Sequence, residues 1–349
     1  MRWVGLRPRT LLTRNGAITF RRGYYVCRQC HRGMAPADSP CQIPPGGATW
    51  AVQDRVALLG AWLPFRQASA VFAHLTGQAV SAGSTEKWTE TLGAAYQPPT
   101  LDRYTPGPLV DTLFLEADAV MVRFDDQWHE VKVVVCWGRK DGHDLAPRYL
   151  VSQKEWEDLG PEIVALARRQ GLRRARALVC LADGAKIIWK VLTRLFPEAR
   201  CLLDWYHLQE YLAAVARLLP EGAAWLEAQQ AALAERGPGE TLTAVTALTK
   251  RRKGSRKALR EAAQKCLTYM EGAAERLDYP TARRLGYPIG SGRVESACRF
   301  VVQQRCKQAG MRWDHAHCDA VLQARCAYLN EEWELANRQM RTKVMARAA

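Results

Sequence analysis

The chain has 349 residues, enough at about 150 residues per domain for two or three folded units. Hydrophobic residues make up 48% and charged residues 24%, a globular balance, and no apolar run reaches the roughly 18 residues that would span a bilayer. Fifty Lys and Arg face 35 Asp and Glu, a formal charge of +15, and such an excess favours a polyanionic partner, nucleic acid first.

The charge is clustered. Residues 1–33 hold eight Arg and no acid, and Lys250, Arg251, Arg252, Lys253, Arg256, Lys257 and Arg260 form a second basic run. Clusters of this kind lie along phosphates and release counterions, so salt should weaken binding steeply. The first residues lack the apolar stretch of a secretion signal, which predicts a cytoplasmic location. Eleven cysteines, an odd number and mostly isolated in apolar contexts, predict free and largely buried thiols rather than a disulfide framework.

Residues 1–48 are predicted to be a basic, turn-rich segment. Cys27-Arg-Gln-Cys30, followed by His31-Arg32-Gly33, is one knuckle of a zinc ribbon. A tetrahedral site needs two knuckles, and His31 and Cys41 are poorly spaced to replace the second. A zinc half-site at Cys27 and Cys30 and a thiol pair that binds nothing therefore both stand.

Residues 51–93 predict three short helices, the second ended by Gly77 and the third introduced by Val80 and Ser81. Helix, Gly-containing turn and polar-start helix is the helix-turn-helix pattern, which would put Lys87 against DNA; any small helical hairpin would look similar. Pro98, Pro99, Pro106 and Pro108 predict a linker.

From residue 111 the periodicity changes. Strands are predicted at 111–123 and 129–137, joined by a turn at Asp125-Asp126, with a third at 148–152. A helix at 155–170, a strand at 177–182, a helix at 185–195 and a strand at 200–203 follow. Three antiparallel strands, then helix, strand, helix, strand, is the order of the ribonuclease H-like α/β fold. Residues 206–284 predict helix throughout, and a Gly286–Gly292 entry leads into a helix at Arg293.

Three carboxylates stand out. Asp118 lies mid-strand among apolar residues, where a charge needs a partner or a metal. Glu116, two residues earlier, points to the same face. Asp183 ends a buried strand, where α/β sheets bind ligands, although it would equally cap the following helix. Glu295 sits one turn into a helix, where it would also offset the helix dipole. In a ribonuclease H-like sheet the first strand neighbours the fourth, which sets Asp118 beside Asp183, with Glu295 completing a trio of oxygen donors for Mg²⁺ or Mn²⁺. Two ions about 3.5–4 Å apart would then serve in-line displacement at phosphorus.

At these residues the sequence resembles the transposases of ISKra-type insertion sequences, within the Mutator-like group of DDE transposases. The resemblance is carried by Arg22-Gly-Tyr-Tyr-Val-Cys-Arg-Gln-Cys30, Glu116-Ala-Asp-Ala-Val-Met-Val122, Glu130-Val-Lys-Val133, Ala182-Asp-Gly-Ala-Lys186, Asp204-Trp-Tyr-His207, Gly286-Tyr-Pro-Ile-Gly-Ser-Gly-Arg-Val-Glu-Ser296 and Arg305-Cys-Lys-Gln-Ala-Gly-Met-Arg-Trp313. It implies that Asp118, Asp183 and Glu295 are a catalytic, metal-holding triad for DNA cleavage and strand transfer. It implies too that Asp204 and His207 support the site, that the helical stretch before Glu295 is an insertion, and that the enzyme acts as a homo-oligomer on double-stranded DNA in the bacterial nucleoid. Arg293, Arg299, Arg305, Lys307 and Arg312, following or flanking Glu295, are expected to contact phosphate.

The expected domains are 1–48, 49–100, 101–207 with 285–349 as the catalytic core, and 208–284 as the insertion. Two departures from the family pattern stand out. Ala119 replaces the usual Gly, and the Cys pair that family members carry upstream of Cys27 is missing, which predicts a truncated or degenerate N-terminus. The alternatives to an active transposase are a non-catalytic DNA-binding relic that represses its own element, and another ribonuclease H-like nuclease.

Overall fold

The computed structural model describes residues 1–101, 105, 107–250 and 257–348. Arg251, Arg252, Lys253 and Arg256 of the second basic run, and Pro106 of the linker, lie outside the described residues. The chain forms two compact units. One comprises Met1–Pro99, Val122–His129 and Val301–Ala349, the other Thr100–Met121 and Glu130–Phe300.

The first unit opens with an antiparallel hairpin, β1 (Arg2–Thr13) and β2 (Gly16–Val26), to which β3 (Gly33–Met34) adds a short third strand. This replaces the expected turn-rich segment. The turn is built by Thr13, whose hydroxyl accepts from the Asn15 amide at 3.1 Å and donates to the Gly16 carbonyl at 2.8 Å. Three helices follow: α1 (Trp50–Trp62), α2 (Phe65–Thr76) and α3 (Ala82–Ala95). Gly77 ends α2 in the left-handed conformation, and the Ser81 hydroxyl caps α3 by accepting from the Ser84 amide at 3.1 Å, as the sequence predicts. Val52 and Val56 of α1 share a buried cluster with Ala48 and with Phe72 of α2.

The second unit holds a mixed sheet. β4 (Thr112–Phe124) and β5 (Gln127–Lys140) are joined through Asp125 and Asp126, both with positive φ (42° and 68°). Asp tolerates that region, and a two-residue turn there suits the twist of a hairpin. The far end of this hairpin, Val122–His129, belongs with the first unit. β6 (His143–Asp144) and β7 (Arg148–Ser152) pair antiparallel along the outer edge of β5. After a short 3₁₀ turn at Trp156–Leu159 comes α4 (Gly160–Arg169), and β8 (Ala177–Ala182) then lies parallel to β4. α5 (Lys186–Leu195) leads to β9 (Arg200–Leu203), parallel to β8. The strand order is therefore β7-β5-β4-β8-β9, with β6 beside β7 on the β5 edge.

β4 is buried on both faces, which is why it reads as a nearly continuous apolar run. Leu113, Leu115 and Ala117 pack with Ile163 and Leu166 of α4 and Ile188 and Leu192 of α5. By strand alternation Phe114, Glu116 and Asp118 face the other way. On that side Phe114 stacks on Trp137 at 5.1 Å and meets Tyr287 edge-on.

Next comes a helical run: α6 (Trp205–Ala216), α7 (Gly222–Glu235), α8 (Gly239–Thr249), α9 (Lys257–Glu271) and α10 (Tyr279–Arg284). It is not separated from the sheet. Leu203 of β9 shares one buried cluster with Leu208, Leu212, Leu259, Met270 and Tyr279, and the Tyr279 hydroxyl donates to the Leu203 carbonyl at 3.1 Å. The short α11 (Gly292–Ala297) follows, continued by a π-helical stretch at Cys298–Gln303 and by α12 (Gln304–Cys306).

The chain closes with α13 (His315–Leu329) and α14 (Trp333–Ala348), which pack on α3. Residues 301–349 thus join the N-terminal helices, whereas the sequence had assigned them to the catalytic core. The anchor is polar as well as apolar. Arg325 of α13 is 1% exposed and donates to the carbonyls of Ala61 and Val301, each at 2.7 Å. All eleven cysteines are free, seven of them buried. Among the described residues no helix is long and apolar enough to cross a membrane.

Candidate functional site

The parallel register fixes the site. Ala117 pairs with Ala182, and Ala182 with Leu203, so the next residue on each of three adjacent strands stands at the same level. Those residues are Asp118, Asp183 and Asp204. They sit where the parallel pairing ends, at the carboxyl edge at which α/β sheets bind ligands.

Asp204 is fully buried and caps α6 through the Tyr206 amide at 2.7 Å. Its other oxygen accepts from His207 Nδ1 at 2.9 Å and from the Ser291 hydroxyl. Burial opposes ionisation of Asp204, but the hydrogen bonds from His207, Ser291 and the Tyr206 amide outweigh it and hold the carboxyl below its ordinary value. His207 responds in the opposite sense, pushed up to about 9, first by the Asp204 hydrogen bond.

Glu295 enters from α11. Its Oε1 lies 3.1 Å from the same Ser291 hydroxyl, and the ligand atoms of Asp204, His207 and Glu295 lie within 4.8 Å of one another. Asp118 accepts from the Ala119 amide at 2.7 Å and from the Cys298 thiol at 3.6 Å. Burial raises its pKa, and the negative charge of Asp183 adds to that rise. Asp183 accepts from the Ala185 amide at 2.9 Å, so it shapes the entry to α5 as well as facing the cluster. Glu116, 1% exposed, is pushed up to about 8 by burial despite a 2.8 Å hydrogen bond from the Val294 amide.

Two glycines are dictated by close approach. A Cβ on Gly184 would lie 2.2 Å from the Tyr269 ring, and one on Gly290 would lie 2.5 Å from Tyr206. Asp183-Gly184 and Gly290-Ser291 are thus turns pressed against aromatic side chains of the helical run. Beside them opens a cavity of about 740 Å³ lined by Asp183, His207, Glu210, Tyr211, Lys265 and Tyr269.

The expected basic residues divide. Arg299 is exposed one turn beyond Glu295. Arg293 pairs with Asp144, and its guanidinium lies 4.3 Å over Trp137. Lys87, Lys307 and Arg312 are exposed in the first unit, Lys307 lying 5.3 Å over Trp128 and Arg312 lying 3.2 Å from Asp126. Arg305 does not fit the phosphate role. It is 1% exposed, donates to the Gly60 carbonyl at 3.1 Å and lies between the rings of Phe65 and Trp313. An arginine engaged that way is a packing element, out of reach of a solvated phosphate.

Cys27 and Cys30 form a tight knuckle in which the His31 amide donates to the Cys27 carbonyl at 3.1 Å, and the backbone amides of Cys30 and Gln29 hold the Cys27 thiol below its ordinary value. Among the described residues, the groups of three or more metal-ligating side chains with atoms mutually within 4.8 Å are Asp204–His207–Glu295 and Glu86–Glu90–His317; of the expected triad only Glu295 is in such a group, and Asp118, Asp183 and the cysteine pair belong to neither.

Sequence reasoning did not assign Glu116, Ser291 or Cys298 to the site. The signal for Glu116 was its place two residues before Asp118. For Ser291 it was the glycines on either side.

The His207–Asp204 pair makes a pH prediction. The folded pKa of about 9 lies above the ordinary 6.5, so the pair's contribution to stability is complete below about pH 6.5 and is lost as pH rises through 9. The gap in unfolding free energy between wild type and His207→Gln should therefore shrink between about pH 6 and about pH 10. A gap that stays constant across that window rules the pair out as a charged one.

The fold and site define an α/β chain whose mixed sheet gathers acidic side chains at the carboxyl edge of its parallel strands. The chain belongs to the uncharacterised protein family UPF0236, whose family model matches residues 2–342. No curated protein matches it. Among solved structures it is similar to a chain of the cryo-EM structure of the simian T-cell lymphotropic virus intasome in complex with PP2A regulatory subunit B56 gamma. That chain is 12% identical, with 58% of this chain and 68% of that chain covered and a TM-score of 0.18, a likeness too slight to carry an argument.

Proposed function

We propose that the chain is a DDE-type DNA transposase with a ribonuclease H-like core, cutting and joining the ends of its own insertion sequence. The observation that supports this best is the placement of Asp118, Asp183 and Asp204 at matching positions of three adjacent parallel strands, with the ligand atoms of Glu295, Asp204 and His207 within 4.8 Å of one another. The strand order β7-β5-β4-β8-β9, two antiparallel pairings followed by two parallel ones, supports a ribonuclease H-like reading of the core.

The donor set is hard oxygen with one imidazole, which fits Mg²⁺ or Mn²⁺. Asp118, Asp183 and Glu295 would hold the ions, with Asp204 and His207 beside them. Bound there, divalent cations supply activation of the attacking oxygen and neutralisation of the leaving one. The residues' own part is to set the geometry. The sheet register aligns the aspartates, and Ser291 ties Asp204 to Glu295. Burial keeps Asp118 in surroundings where a cation offsets carboxylate repulsion. In this reading α2 and α3 form a helix-turn-helix that lays Lys87 on duplex DNA, Arg299, Lys307 and Arg312 add phosphate contacts, and the protein works as a homo-oligomer on paired ends.

The test is purified protein with Mn²⁺ and DNA carrying the sequences that flank its gene. Nicks at the element boundary and joined products, both abolished by a chelator, are expected. Specific binding without cleavage in any divalent metal would replace the reading with a DNA-binding repressor. Branched-junction cleavage without joining would replace it with a nuclease of another kind.

A further inference from the structure

We infer that Glu116 is a positioning residue, whose buried carboxyl group caps α11 and so holds Glu295 against the strand that carries Asp118. The functional consequence rests on the transposase reading; the clamp itself does not.

The first amides of a helix have no partner within it, and a Ser at the N-cap ordinarily supplies one. Ser291 occupies the N-cap of α11 but makes no side-chain cap. Its hydroxyl is turned instead to Asp204 and Glu295. The missing cap comes from Glu116, 178 residues earlier in the chain, whose Oε2 accepts from the Val294 amide at 2.8 Å. Val294 immediately precedes Glu295, and its side chain is fully buried.

α11 opens a continuous helical stretch that runs on through the π-helical Cys298–Gln303 to α12, and its first turn, which carries Glu295, has no helical residue before it to brace it. Its orientation is therefore set from outside: by Glu116 on β4 at its amides, and by Asp204, at the end of β9, through Ser291. A carboxyl group that is 1% exposed and whose oxygen accepts from a backbone amide is engaged in holding that amide. By lending its cap to α11, Glu116 leaves Ser291 available to orient Glu295. A one-ångström error in the third acid is what such a support prevents.

The test separates the clamp from the chemistry. In wild-type protein with isotopically labelled valine, without metal or DNA, the Val294 amide should exchange at least about tenfold more slowly than that of an uncapped helical first turn. Free exchange at Val294 overturns the proposal whatever the variants do. Glu116→Leu, which removes the acceptor, should release that protection and raise the Mn²⁺ concentration for half-maximal DNA nicking by about 10- to 100-fold. Glu116→Gln keeps an uncharged acceptor of the same shape and should stay within about threefold of wild type in both readouts. If Gln impairs metal dependence as much as Leu while Val294 stays protected, Glu116 acts through its charge and the positioning role is wrong. Wild-type protein that protects Val294 but cleaves no DNA would sink the transposase reading and leave the clamp standing.

Discussion

Asp183→Asn is expected to lower Mn²⁺-dependent DNA nicking on the order of a thousandfold while leaving the fold and DNA binding intact. The substitution is nearly isosteric. The amide oxygen of Asn would still accept from the Ala185 amide, so the turn into α5 persists. What disappears is one negative charge at the edge of the central strand pair, opposite Asp118. A site that holds divalent cations through carboxylates tolerates that loss poorly, because an amide is a weak ligand and leaves the cation's charge uncompensated. Gel assays of nicking beside a melting curve and a binding titration read the two halves of the expectation. Nicking at the wild-type rate would defeat the assignment of Asp183, and a collapsed melting curve would show its role to be structural.

The second large effect concerns stability. Arg325→Met should cost about 2–5 kcal/mol, read as a lower denaturant midpoint. Methionine keeps much of the length and apolar contact of the side chain, so the loss isolates the polar part. Without the guanidinium the carbonyls of Ala61 and Val301 lose donors at 2.7 Å in a region closed to water. The contact with Trp62, whose ring centroid is 4.3 Å from the guanidinium carbon, goes as well. Burial already pushes the Arg325 pKa down to about 10, a sign of how little solvent compensates the charge. An unchanged midpoint would mean that the orphaned carbonyls find water.

Much of the second unit was legible because its sequence obeys simple periodicities. The strands and helices between residues 111 and 203 follow apolar runs that stop at Asp, Gly or Pro, and the observed elements fall within a few residues of the expected ones. The level placement of Asp118, Asp183 and Asp204 follows from parallel pairing alone, and only the first two were read as a pair in advance. Other features are tertiary and leave weak local marks. Arginines at positions 2, 7, 9, 21 and 22 break the hydrophobic alternation of β1 and β2, so a solvated hairpin looked like a basic tail. Arg305 read as a phosphate contact, because burial of its guanidinium depends on a carbonyl of α1 and a ring of α2, hundreds of residues away. The allegiance of α13 and α14 to the first unit depends on α3, which no pattern inside them reveals. Ser291 was legible only as part of a glycine-flanked entry to a helix, and only its contacts show that the cap is delegated to Glu116.

The sharing of one apolar cluster between β9 and the helical run has a practical outcome. Leu203 is buried by Leu208, Leu212 and Tyr279, and the residue after Leu203 is Asp204. Cutting away the helices to obtain a minimal fragment around the sheet would expose the outermost parallel strand and let it fray. The segment therefore behaves as a keystone rather than an appendage, because its contacts brace the edge of the sheet.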